Sequence, residues 1–209
     1  MLEFPSGGSH HEYWVPLPRS GDRASPPQDG IPALELPVRA ALEALNRLVA
    51  DRVVVGYAIG GAIGASFYLP AMQTEDLDVF VFLPASSGPL VTLTPVYDAL
   101  KAHGGQVEGE YVRFGKWPVQ ILTDANALIA EAIREAVGTD YDGVPTRVFT
   151  AEHLCAVALQ TGRSKDFARV MLFLEENEVD LGALSALAAR FGLSDRLARV
   201  LLSANGDSK

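Results

Sequence analysis

The chain has 209 residues, 48% of them hydrophobic, and a formal net charge of −9. That length can bury a full core and suits one folded unit with helical additions, while no uninterrupted apolar run is long enough to cross a bilayer. An acidic surface repels phosphate backbones at long range, which excludes a broad nucleic-acid-coating role and leaves room only for a local basic groove. The N-terminus has no basic stretch followed by an apolar core, so a secretory leader is not expected. Cys155 is the sole cysteine. It reads as a small core residue rather than a nucleophile, and fits a reducing cytoplasm.

In chain order, residues 1–34 are dense in Gly, Ser and Pro and read as a mobile arm. His10-His11 lies within it with no third ligand at metal spacing. Residues 36–49 place Leu36, Val38, Ala41, Leu42, Leu45 and Leu48 on one helical face. Residues 52–59 read as a buried strand ending at two glycines. A helix over 62–69 is stopped by Pro70. Residues 77–83 form a second strand, followed by a Pro/Ser/Gly-rich turn. Pro95 opens a helix to residue 102, closed by His103-Gly104-Gly105. Short strands over 109–114 and 117–122 meet at Gly115-Lys116 as a hairpin. A helix over 127–137 and a strand over 144–149 follow. Thr150 is placed as the N-cap of a helix through residue 160. The remainder is helical, with breaks near Thr161-Gly162, Val179 and Gly192.

This order predicts an α/β (α+β) fold: a small mixed sheet flanked by helices, because the hairpin breaks strict βαβ alternation. Three parts are expected: the arm at 1–34, an α/β domain at 35–150 and a helical extension at 151–209.

The chemistry concentrates in two segments. The first is Tyr57-Ala58-Ile59-Gly60-Gly61-Ala62, where two glycines between strand and helix allow close backbone approach to a ligand and helix-start amides favour phosphate. The second is Thr74-Glu75-Asp76-Leu77-Asp78-Val79-Phe80. Strand alternation puts Asp76 and Asp78 on one face, close enough to share divalent cations. Thr74 is expected to orient the acidic turn. The spacing of Gly60, Gly61 and Gly64 does not match a dinucleotide-binding loop. His153 with Cys155 lacks further ligands at zinc spacing and reads as core. Tyr111, Phe114 and Trp117 suit either base stacking or a sheet face. Leu181, Leu184, Leu187 and Leu193 suit either a core or a partner surface.

A Gly-Gly turn, a short helix and Asp-x-Asp on a strand resemble the nucleotidyltransferase superfamily with the DNA polymerase β-like fold. Ile59 to Ala62, Thr74 to Phe80, Pro118-Val119-Gln120 and Gly162-Arg163-Ser164-Lys165-Asp166 carry the likeness over about residues 36–190. It looks closest to small minimal nucleotidyltransferases, including abortive-infection toxins of toxin–antitoxin systems. The resemblance implies Asp76 and Asp78 as catalytic metal ligands for Mg²⁺, Gly60 and Gly61 at the triphosphate, and an NTP as substrate. Lys165 is the residue expected to neutralise phosphate, ahead of Arg163. The acceptor hydroxyl would belong to a protein, a tRNA or a small molecule.

Two departures from the family pattern stand out. Gln120 occupies the position of a third carboxylate, for which Asp124 is the nearby substitute. Ala62 replaces a phosphate-holding serine, for which Ser66 is the candidate. Two further hypotheses therefore stand beside the Mg²⁺-dependent transferase: a nucleotide-binding module without turnover that acts through a protein partner, and an assembly protein using its C-terminal helices.

Overall fold

The computed structural model describes residues 36–70, 74, 76–84 and 92–206, with positions 36, 37, 205 and 206 described by backbone alone. The N-terminal arm with His10-His11, Glu75, and most of the turn after residue 83 lie outside the described residues. The elements are α1 (Leu36–Ala50), β1 (Gly56–Ile59), α2 (Gly61–Ala65), β2 (Leu77–Phe82), α3 (Thr94–Ala102), β3 (Gln106–Glu108), β4 (Tyr111–Phe114) and β5 (Trp117–Thr123). They continue with α4 (Ala127–Arg134), β6 (Val137–Tyr141), β7 (Val144–Val148), α5 (Ala151–Thr161), α6 (Ser164–Glu175), α7 (Leu181–Arg190) and α8 (Ser194–Gly206).

The strands form one mixed sheet in the order β3-β4-β5-β2-β1-β7-β6. The β2–β5 and β1–β7 pairs are parallel and the others antiparallel. The expected fold class is therefore what the chain adopts. Alternation along β2 splits the molecule into two cores. Leu77, Val79 and Val81 join α1 and α3 in one buried cluster, with Val119 and Ile121 of β5. Phe80 faces the other way, into a cluster built by α4 to α8. Asp78 lies on that second face, so this candidate site residue is on the side where α4 to α8 pack.

The strand expected over 52–59 begins only at Gly56. Arg52 has φ +58°, and the amides of Val53 and Val54 bond back to the Leu48 carbonyl, so the valine-rich run first turns the chain off α1. The helix expected over 62–69 is α2 alone, continuing as turns. The helix expected over 127–137 ends at Arg134, and Val137 starts β6, which the sequence reading lacked. Its partner β7 is reached through Asp142 and Gly143 at φ +48° and +80°, a two-residue turn with the twist a hairpin needs. β3, also unexpected, is three exposed residues with no apolar pattern.

Other expectations hold. Thr150 caps α5 by accepting from the His153 amide, and Gly162 ends it in the left-handed region. Cys155 is buried, and burial pushes its thiol up, away from reactivity. Phe114 is buried and Trp117 packs beside it against the first core, the sheet-face reading of those aromatics. Leu184, Leu187 and Leu193 are core, whereas Leu181 is exposed. No helix among the described residues is long and apolar enough to cross a membrane.

The face opposite the chemistry is pinned by Tyr57. Its hydroxyl donates to Asn46 Oδ1 at 2.9 Å and lies 3.2 Å from Thr146 Oγ1, tying β1 to α1 and β7. Burial pushes the phenol up to about 12, so it stays a donor throughout the working range. Tyr57→Phe should lower unfolding free energy by about 1–2 kcal/mol, because Asn46 and Thr146 lose a buried partner. Urea denaturation checks the loss, and any ligand titration at the opposite face should be unchanged.

Candidate functional site

Two glycines join β1 to α2, and they do different work. The Gly60 amide donates to the Asp78 carbonyl at 3.0 Å, extending the β1–β2 ladder. A Cβ on Gly60 would stand 2.5 Å from Phe80 Cε2 and 3.1 Å from Phe149 Cε2. Those rings are stacked at a tilt, centroids 4.8 Å apart. The missing side chain at Gly60 therefore makes room for an aromatic pair. Gly61 has φ +59°, and a Cβ there would fall 1.8 Å from Asp78 Oδ2. It forms the seat for that carboxylate.

Asp78 is half-buried, and Asp76 enters the same strand one residue before β2 begins. Thr74 Oγ1 donates to the Asp76 carbonyl at 3.1 Å and reaches Asp76 Oδ1 at 3.4 Å, which orients the acidic turn as expected. Burial, reinforced by the neighbouring charge of Asp76, raises the Asp78 carboxyl from 3.8 to about 6. Arg169, Arg163 and Lys165 pull in the opposite direction without cancelling the effect.

Those three cations come from the start of α6. Asp166, only 1% exposed, organises two of them. It accepts Arg163 Nε at 2.7 Å and Arg163 Nη2 at 3.3 Å, and it stands 3.5 Å from Arg169 Nη1. The charge-assisted bond to Asp166 raises the Arg163 guanidinium further. Arg169 is nearly enclosed, and its Nε is buried without a partner among the described residues. Asp166 is therefore a buried anchor for two guanidinium groups, and Arg169 is a cleft-lining residue that the sequence did not single out. The spacing Arg163, Asp166, Arg169 at i, i+3, i+6 was the available signal, since it places all three on one helical face.

A cleft of about 950 Å³ joins these groups. Gly61, Asp76, Asp78, Lys165, Asp166 and Arg169 line its charged part, and Asn126, Ile129, Val157 and Gln160 are among those lining the rest. Ala62 and Arg163 also line it, whereas Gly60 does not. Ser66 does not line it either. Its buried hydroxyl donates to the Ile63 carbonyl at 2.7 Å and cannot stand in for a serine at position 62. Gln120 pairs with Asp78 in the parallel β2–β5 register and lines the cleft on the same face. Asp124 lies beyond the strand and is not part of the lining. Among the described residues no three His, Cys, Asp or Glu side chains are grouped for a metal ion. His153 instead sits between Thr150 and Glu131, and burial holds its ring below the ordinary range.

No protein-family model matches the chain, and no curated protein matches it significantly. Among solved structures, the antibiotic-resistance factor ANT(2'')-Ia in solution is similar at 16% identity and TM-score 0.46, covering 81% of this chain and 98% of that one. A crystal structure of ANT(2'')-Ia with adenylyl-2''-tobramycin is similar at 16% identity and TM-score 0.46, covering 74% and 97%. An antigenic nucleotidyltransferase-like protein from Paracoccidioides brasiliensis is similar at 14% identity and TM-score 0.47, covering 80% and 92%.

The raised carboxyl has a consequence for stability. Between about pH 4 and about pH 6 the folded chain holds a proton on Asp78 that the unfolded chain has released, so stability falls as pH rises through that window. Asp78→Asn removes the cost of the buried charge. The variant should gain about 2 kcal/mol over wild type at about pH 7.5 in metal-free buffer and almost nothing at about pH 4. Denaturant midpoints at the two pH values test this, and an equal gain at both would contradict it.

Proposed function

We propose that the chain is a Mg²⁺-dependent nucleotidyltransferase that moves an NMP group from an NTP to a hydroxyl of a small molecule, a protein or a tRNA. The observation that carries this reading is one cleft in which Asp76 and Asp78 on the sheet share the lining with the cations Arg163, Lys165 and Arg169, beside the Asp166 that holds two of those cations. A ligand bearing both a divalent cation and several negative oxygens meets complementary charge there. A neutral or purely cationic ligand does not.

The donor set fits magnesium. Two carboxylates on one strand face offer hard oxygens to an ion that keeps its other positions for phosphate and water. Asp76 and Asp78 would hold it, and the ion when bound would supply Lewis-acid neutralisation of phosphate and activation of the acceptor hydroxyl. The chain's own residues do the rest. Gly61 leaves space for the Asp78 carboxylate, which is ionised above about pH 6 and so available to a cation. Lys165 and Arg169 neutralise phosphate charge, with Arg169 held by Asp166. The α/β part at 35–150 contributes the carboxylates and the helical extension at 151–209 the cations, in a protein expected to work in the cytoplasm.

A second reading draws on Gln120. A carboxamide opposite Asp78 accepts weakly and cannot take a proton from an acceptor hydroxyl, so the same cleft suits nucleotide binding with little turnover.

Calorimetric titration of each NTP with and without Mg²⁺ tests the first reading. Binding should require the metal and be lost in Asp78→Asn and Asp76→Asn. Unchanged affinity in both variants would sink the assignment. Gln120→Glu separates the readings, because restoring a carboxylate should raise NTP consumption by roughly tenfold or more if the wild-type chain only binds.

A further inference from the structure

Besides its charged groups, the cleft is lined by the amides of Asn126 and Gln160, and a backbone donor sets the orientation of the first. Asn126 caps α4, its Oδ1 accepting from the Ile129 amide at 3.1 Å. A backbone N–H can only donate, so this bond fixes which end of the Asn126 side chain is oxygen. Its Nδ2 must then point elsewhere, and it donates to Gln160 Oε1 at 3.0 Å. Gln160 is thereby fixed in turn. Its oxygen is taken, and its Nε2 has no protein partner among the described residues yet is not a buried unpaired atom.

The Gln160 backbone is held as firmly. Arg196 Nη1 of α8 donates to the carbonyls of Leu159 and Gln160, each at 2.6 Å, at the end of α5. Gln160 lines the cleft, and a chain of bonds starting at a helix cap engages its oxygen and leaves its N–H as the end available to a ligand. Ile129, one turn from Asn126, and Val157, one turn before Thr161, line the same cleft with apolar surface. Apolar walls beside a fixed amide suit a flat ring with a polar edge.

We propose that Gln160, positioned by Asn126, is a specificity-determining residue that donates its amide N–H to a keto oxygen on the nucleobase of the bound nucleotide. The inference rests on the cleft being a nucleotide site. It selects guanine and uracil, which carry a keto oxygen where adenine and cytosine carry an amino group. An acceptor faces the Gln160 donor in the first pair, and a donor faces it in the second.

Two variants change this polarity by different routes. Gln160→Glu keeps an oxygen for Asn126 while replacing the N–H by an acceptor. Asn126→Asp keeps the helix cap but can no longer donate. Gln160 should then turn its amide N–H toward the new carboxylate at position 126 and present oxygen to the ligand.

The experiment is calorimetric titration of GTP, UTP, ATP and CTP with Mg²⁺ into the wild-type chain and both variants, each first checked for an unchanged thermal transition. The wild type should prefer GTP and UTP by about tenfold. Both variants should lose or invert that preference, a pattern that loosening of α4 would not produce because it would weaken all four alike. Equal ratios in all three proteins, or uniform weakening, would overturn the role of Gln160. Absence of binding to any NTP by the wild type would instead overturn the nucleotide reading itself.

Discussion

The carboxylate of Asp78 lies where a side chain on Gly61 would have to be, and the cations at the start of α6 act on it across the cleft. Much of the architecture serves that meeting. The link from β1 into α2 must pass through a left-handed residue, Gly61, so that the neighbouring strand can place an acid over it. The Gly60 amide must bond the Asp78 carbonyl so that the two strands stay in step. The helical extension must pack on that sheet face, because a half-buried acid beside a second acid is costly without counter-charge. Burial still dominates, which leaves the carboxyl raised. Such a group costs stability in the resting protein and is suited to receiving a cation.

Asp166 explains how the opposing wall is kept in order. Arg163, Lys165 and Arg169 lie within the N-cap and first two turns of α6, and like charges so placed repel one another. A fully buried carboxylate beneath two of them gives a fixed pattern instead. A similar economy governs the uncharged part of the cleft, where a helix cap, one amide and a second amide form a line of bonds with a single allowed polarity. In both places one side chain that lines the cleft is held by another.

The legible parts of the sequence were those governed by local periodicity. Asp76 and Asp78 two apart before an apolar run read directly as one strand face, and Thr150 and Gly162 read as the ends of α5. What depended on distant neighbours did not show. Gly60 reads like Gly61, yet its small size answers to Phe80 and Phe149, which only the sheet brings together. Ser66 sits one helical turn from Ala62, but its hydroxyl is engaged by the carbonyl of Ile63. β6 was hidden because Val137 continues the apolar rhythm of α4, and the turn signal at Asp142-Gly143 comes only after the strand. Arg169 was hidden for a different reason. An arginine within a helix looks solvated until its burial is known.

The order in which the walls appear along the chain has a consequence during synthesis. The sheet and both acids leave the ribosome before residues 163–169. Until those residues follow, Asp76 and Asp78 stand beside one another with no cation from α6 to offset them. Their carboxylates are then open to water, so the packing that follows both completes the cleft and imposes the burial that raises Asp78, which the α6 cations offset only in part. Folding of the first part and docking of the second are thereby coupled, so a chain that stops short of α6 is left with an open second core as well as an incomplete site.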